Sequence, residues 1–128
     1  MSVIVTPIYA VLLTVIMLVL SYRVILARRS GKFAYGDNDS PRNQAKIRAQ
    51  GNWAEYVPIT LLLMLMAEIN GVSVWLLHVT GMTLLVGRAL HGYGMSYNPK
   101  WFKGRVWGMQ LTFLAIALAM ICALISML

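Results

Sequence analysis

The chain ends in a run that no water-soluble fold accommodates easily. From Val106 to Leu128 it carries no ionised side chain. A second such run lies near its start, where Thr6, Tyr9 and Thr14 are the only polar side chains between Val3 and Leu20. A helix needs roughly 20 apolar residues, at about 1.5 Å each, to cross a hydrocarbon core. Both runs are long enough. The whole chain is 59% hydrophobic and 12% charged, against about 25% charged residues in soluble domains, so it lacks the polar surface a soluble domain would need.

The pattern predicts an all-α integral membrane protein, a four-helix bundle of antiparallel up-down topology. Residues 1–128 are read as one transmembrane domain, with helices at about 3–27, 45–70, 72–92 and 105–127. The loop at 28–44 (RRSGKFAYGDNDSPRNQ) is rich in turn residues, and a second polar loop covers 93–104. Pro58 lies inside the second helix, where a kink is expected. A cleaved leader is not expected, because MSVIVTPIY lacks a basic segment and no small-residue cleavage site follows.

Eleven Lys and Arg against four Asp and Glu give a net charge of +7. In a soluble protein such an excess would suggest nucleic acid, but here the cations gather at helix ends and suit lipid headgroups, so no nucleic-acid partner is expected. Arg28, Arg29, Lys32 and Arg42 lie in the first loop, and Lys100, Lys103 and Arg105 in or beside the third. The second loop and both termini carry no basic side chains. Cytoplasmic loops are enriched in Lys and Arg, so loops one and three are read as cytoplasmic and both termini as outward.

Ionisable groups within membrane helices are costly and usually functional. The cytoplasmic ends of all four helices hold such groups: Arg23 and Arg28; Arg48, Asn52 and Glu55; Arg88 and His91; and Arg105. On the second helix the three sit at i, i+4 and i+7. Asn52 then lies about 40° from Arg48, and Glu55 about 20° the other way. Gly51 shares that face and would leave room for a ligand or another backbone. Glu55, lying deepest, needs a cation or a proton. Arg48 and Glu55 could pair structurally, or sort the charges of a zwitterionic ligand, or both. Arg88 and His91 are i and i+3 and share a face. Arg88 would need an anion, whereas His91 is read first as an interfacial histidine bonded to a carbonyl. His78 is read as interfacial, and Glu68 as a solvated group near the outer surface. Two histidines thirteen residues apart and one distant cysteine, Cys122, make no metal-ligand cluster, and no metal is expected.

The stretch IRAQGNWAEYVP (47–58) resembles the R-A-x-x-N-x-x-E-x-x-P signature of the MAPEG family, membrane-associated proteins in eicosanoid and glutathione metabolism. ILARRSGK (25–32), LLVGRALHGYG (84–94) and GRVWG (104–108) fall where that family places its other helix ends. The resemblance covers essentially the whole chain and looks closest to small bacterial members. It implies a homotrimer in a bacterial inner membrane, with sites between subunits near the cytoplasmic face, and glutathione as cosubstrate. The thiolate would be turned on lipophilic electrophiles or hydroperoxides that enter from the lipid bilayer. By motif match, Arg28, Arg48, Gln50, Asn52, Glu55 and Tyr56 would contact glutathione, and Arg88 and His91 would line the site. Arg105 would be the catalytic residue, stabilising the thiolate.

The residues suit that ligand. Arginines are planar forks for its two carboxylates, Glu55 could take its ammonium, and a cation beside a thiol favours the thiolate. Gly51, Met95 and His91 depart from residues common in the family, which speaks against a specialised eicosanoid reaction. Two alternatives stand beside the transferase: a non-catalytic lipid- or glutathione-binding member, and a small proton-coupled multidrug exporter. The exporter fits poorly, because arginines on several helices would repel cationic drugs.

Overall fold

The computed structural model describes residues 2–128. The chain forms four helices, α1 (Val5–Gly31), α2 (Pro41–Ile69), α3 (Val74–Gly92) and α4 (Phe102–Ile125), with a π-helical turn at Tyr93–Tyr97 after α3. The described residues contain no strand. Two helices, α1 and α4, are long and apolar enough to cross a membrane. Leu13, Val57, Met64, Leu77, Leu84, Ala115 and their neighbours fill the space between the helices. Large apolar side chains such as Val11, Leu18, Leu114 and Ile121 stay exposed on the outside, as expected where the solvent is lipid.

The helices reach further into the first loop than its composition suggests. α1 runs past the expected end at Ala27 to Gly31, because Arg28 and Arg29 are good helix formers whose long stems let their charges reach the interface. It stops where Lys32 turns left-handed (φ 54°). There the Phe33 and Lys32 amides close back on the carbonyls of Arg28 and Arg29. α2 begins at Pro41, before the expected Ala45, because Ser40 caps it: the Ser40 hydroxyl accepts the Asn43 amide at 3.3 Å, and proline suits the first helical position. The third loop is likewise shorter than 93–104, since the π turn and the early start of α4 take most of it.

Between α2 and α3, Gly71 takes a left-handed conformation (φ 83°) that closes α2 and delays α3 to Val74. Pro58 does not break α2, which is continuous through it. α3 and α4 approach at backbone distance. A Cβ placed on Gly108 would lie 2.5 Å from the His91 amide nitrogen, and one on Gly87 would meet the Gly108 carbonyl at 3.0 Å. These glycines bring the functional end of α3 against α4.

The outer end is fixed by a residue that the sequence reading placed in solvent. Glu68 is 8% exposed. Its Oε1 accepts the amides of Ile4 and Val5 at 2.7 and 2.6 Å, and its Oε2 the amide of Thr6 at 2.7 Å. Ile4 has no side chain able to cap α1, so the carboxylate from the end of α2 satisfies the amides that a helix N-terminus leaves bare. Nearby, the Tyr9 hydroxyl lies 3.0 Å from His78 Nδ1, so His78 is also tied into the bundle.

Replacing Glu68 with alanine should lower the unfolding free energy by about 2–3 kcal/mol, the cost of leaving buried donors unpaired. An SDS titration against Asn70→Ala as control measures this; equal midpoints for the two variants would remove the cap from the account.

Candidate functional site

The polar face of α2 divides in two. Arg48 and Glu55, two turns apart, reach each other: Arg48 Nη2 donates to Glu55 Oε1 at 3.1 Å and to Oε2 at 3.3 Å. Their side chains are 48% and 49% exposed, so the pair faces outward from the bundle. Gly51 lies under this pair, where a Cβ would come within 3.2 Å of Arg48 Nη1. Asn52 turns the other way, toward the interior.

The interior partner is Arg88, which is fully buried. Its Nη1 donates to Asn52 Oδ1 at 2.8 Å and to Thr112 Oγ1 at 3.4 Å, and its Nη2 lies 3.2 Å from His91 Nδ1. Nε is buried with no partner. Arginine only donates, so His91 Nδ1 accepts, and the histidine proton sits on Nε2. The expected anion for Arg88 is absent among the described residues. Neutral acceptors from α2, α3 and α4 surround it, and an oxygen, a hydroxyl and an imidazole share the work of one carboxylate. His91 is correspondingly bonded to a side chain and not to a carbonyl.

A cleft of about 340 Å³ opens beside this network, lined by Asn52, His91, Met95, Phe102, Arg105 and Met109 among others. Arg105, from the first turns of α4, is half-buried, with its guanidinium carbon 5.6 Å from the centre of the Phe102 ring. Asn52, His91 and Arg105 thus meet on one cavity, with Arg88 behind them. The other nominated residues lie elsewhere in the protomer. Gln50 donates to Ser21 on α1 at 3.0 Å. Tyr56 packs its ring edge-on against Phe113. Arg28 lines a separate basic recess with Arg29, Lys32 and Phe33 at the end of α1.

Sequence reasoning missed Thr112 and Gln110, which lines the same cleft. Gln110 had a legible signal, being the one carboxamide in the apolar run of α4. Thr112 had none, since threonines in membrane helices commonly bond their own backbone, and this one also does so, to Gly108 at 2.7 Å.

Helices with lipid-facing apolar surfaces and a buried cationic network define a helical membrane protein with an internal polar site. Residues 6–125 match the MAPEG family, and the chain belongs to it. It is 38% identical over 120 residues to the inner membrane protein YecN of Escherichia coli strain K12, an alignment covering 94% of this chain and 90% of that protein. YecN of Escherichia coli O6:H1 matches to the same extent.

If Asn52 exists in the fold to satisfy Arg88, their substitutions should not add. Asn52→Leu should cost about 2 kcal/mol of stability alone, and well under half of that in an Arg88→Met background. A double-mutant cycle on unfolding free energies measures the difference; additive costs would mean that Asn52 serves another partner.

Proposed function

We propose that the protein is a membrane-bound glutathione transferase whose activated thiolate also serves peroxidase chemistry, acting as a homotrimer in a bacterial inner membrane. In this reading the helices run up-down across the bilayer, the basic first and third loops are cytoplasmic, and both termini face outward, as the distribution of Lys and Arg favours. Membership of a family that includes glutathione transferases supports the reaction class. Support for a second subunit comes from Arg48 and Glu55: a half-exposed ion pair on a membrane helix should meet protein or water, not hydrocarbon.

The observation that carries the reading is the Arg105 guanidinium beside the cleft that Asn52 and His91 line. No carboxylate among the described residues forms an ion pair with Arg105, so its charge is available to a ligand. Glutathione would place its thiol near Arg105, which favours the thiolate while keeping its own proton. The thiol proton leaves to water, and the sulfur attacks an electrophilic carbon. With an aryl halide a C–S bond forms, the C–halogen bond breaks, and halide departs. Arg28, Arg48 and Gln50 would hold the peptide's carboxylates, and Glu55 its ammonium. Because these residues are dispersed within one protomer, the complete set would assemble only across a subunit boundary. Met95, Phe102 and Met109 offer an apolar wall for a lipophilic second substrate.

A non-catalytic binding role has its own support. Arg88 is fully enclosed and committed to Asn52, Thr112 and His91, so part of the polar cluster already serves the fold. Titration calorimetry with glutathione, read beside a conjugation assay, separates the cases: binding with turnover favours the transferase, and no binding across millimolar glutathione favours the non-catalytic member.

For the transferase, conjugation of an aryl halide should rise with pH as the thiol ionises. In Arg105→Ala the profile should move up toward the free-thiol value of about 8.5. The rate at neutral pH should fall about ten-fold for each pKa unit lost, equal to about 1.4 kcal/mol. Thiolate absorbance and conjugation rate are read together, and identical profiles for both proteins would take Arg105 out of the mechanism.

A further inference from the structure

A second polar constellation lies outside that cleft. Arg23 follows Val19 and Leu20 by one turn on α1. Its Nε donates to Ser96 Oγ at 2.7 Å and its Nη2 to the Ser96 carbonyl at 2.8 Å, while its guanidinium carbon lies 3.5 Å from the centre of the Tyr97 ring. Arg23 therefore clamps the π turn to α1 and places Tyr97.

Tyr97 is the shared wall of two hollows. One is an apolar groove of about 170 Å³ between α1 and α3, lined by Ile16, Val19, Leu20, Ala89, Gly92 and Tyr93 and ending at Tyr97. The other, about 430 Å³, is lined by Tyr97 together with Pro41, Arg42, Asn98, Pro99 and Lys100. Lys46 lies one turn along α2 from Arg42, on the same helix face. Among the described residues no carboxylate comes within ion-pair distance of Arg23, Arg42, Lys46 or Lys100. The nearby Asp37 turns back on its own loop, accepting the Asp39 amide at 3.0 Å.

The occupant must be apolar along one end and anionic at the other. Arg42 and Lys100 lining the hollow beyond Tyr97, Lys46 one turn from Arg42, and Arg23 over the Tyr97 ring set positive charge beside a narrow apolar groove, and a bilayer lipid matches both. A second copy of the chain matches poorly. It has four carboxylates in all, of which Glu55 and Glu68 are already engaged, and its own basic end would be repelled.

We propose that this strip binds an anionic phospholipid, one acyl chain lying along Leu20, Ala89 and Tyr93 and the phosphate held among Arg23, Arg42, Lys46 and Lys100. Tyr97 separates tail from headgroup. Arg23 uses Nε and Nη2 on Ser96, and its remaining N–H groups and those of Arg42 supply planar donors for phosphate oxygens. The site is independent of whether the cleft at Arg105 conjugates glutathione.

The test is native mass spectrometry of the purified chain from equimolar dioleoylphosphatidylglycerol and dioleoylphosphatidylcholine, with far-UV circular dichroism to confirm folding. At about 1 kcal/mol per basic residue near an anionic surface, the wild type should retain phosphatidylglycerol over phosphatidylcholine by about ten-fold or more. The triple variant Arg42→Gln, Lys46→Gln, Lys100→Gln changes interfacial residues only, and its preference should fall below about two-fold. Ala89→Phe fills the exposed groove with all charges intact and should reduce retained phosphatidylglycerol at least several-fold.

Equal retention of the two lipids by the wild type overturns the proposal, as does an unchanged preference in the triple variant. Complete displacement by millimolar inorganic phosphate would reveal an anion site with no tail groove. Loss of oligomer without loss of lipid in Ala89→Phe would assign the face to a second copy.

Discussion

The interior of this bundle is organised around a guanidinium that has no counter-ion. Arg88 brings a charge and five N–H donors into a space otherwise filled by leucine, valine and methionine, and the fold answers with neutral acceptors from three helices. Each acceptor must arrive from a different direction, so the network sets the rotation of α2 through Asn52 and of α4 through Thr112. The glycines at 87 and 108 let α3 and α4 come close enough for Thr112 to reach. His91, fixed as an acceptor by the same arginine, carries the network to the edge of the cleft. Packing and site are thus one arrangement seen from two sides.

The helices were legible because hydrocarbon imposes a length and forbids charge, and both constraints are written in composition. Their ends were less so. Ser40-Pro41 is a good cap, yet it lies inside a polar stretch that reads as loop. The α2 polar face was legible from its spacing, but its division was not. A displacement of about 40° is small on a helical wheel, yet it sends Asn52 inward to Arg88 while Arg48 and Glu55 turn out toward each other. Glu68 was misread for a different reason. Its partners are main-chain amides of Ile4, Val5 and Thr6, and backbone donors leave no mark in a sequence.

The charged groups fall into two populations. Arg88 and Glu68 find their partners within the protomer, Arg88 through its two terminal nitrogens and Glu68 through both carboxylate oxygens, and act as struts. Arg48 paired with Glu55, Arg105, and the cations around Tyr97 face outward or line open hollows. Residues sharing one sequence motif, Arg48, Gln50, Asn52 and Tyr56, point to four different surroundings in the protomer.

The contact between Glu68 and the start of α1 also bears on biosynthesis. The amides it caps lie 62 to 64 positions earlier in the chain. Until the end of α2 has been made, those amides lack this acceptor. Only after the end of α2 has been translated can the carboxylate reach them. The first hairpin therefore closes like a clasp whose second half is made last.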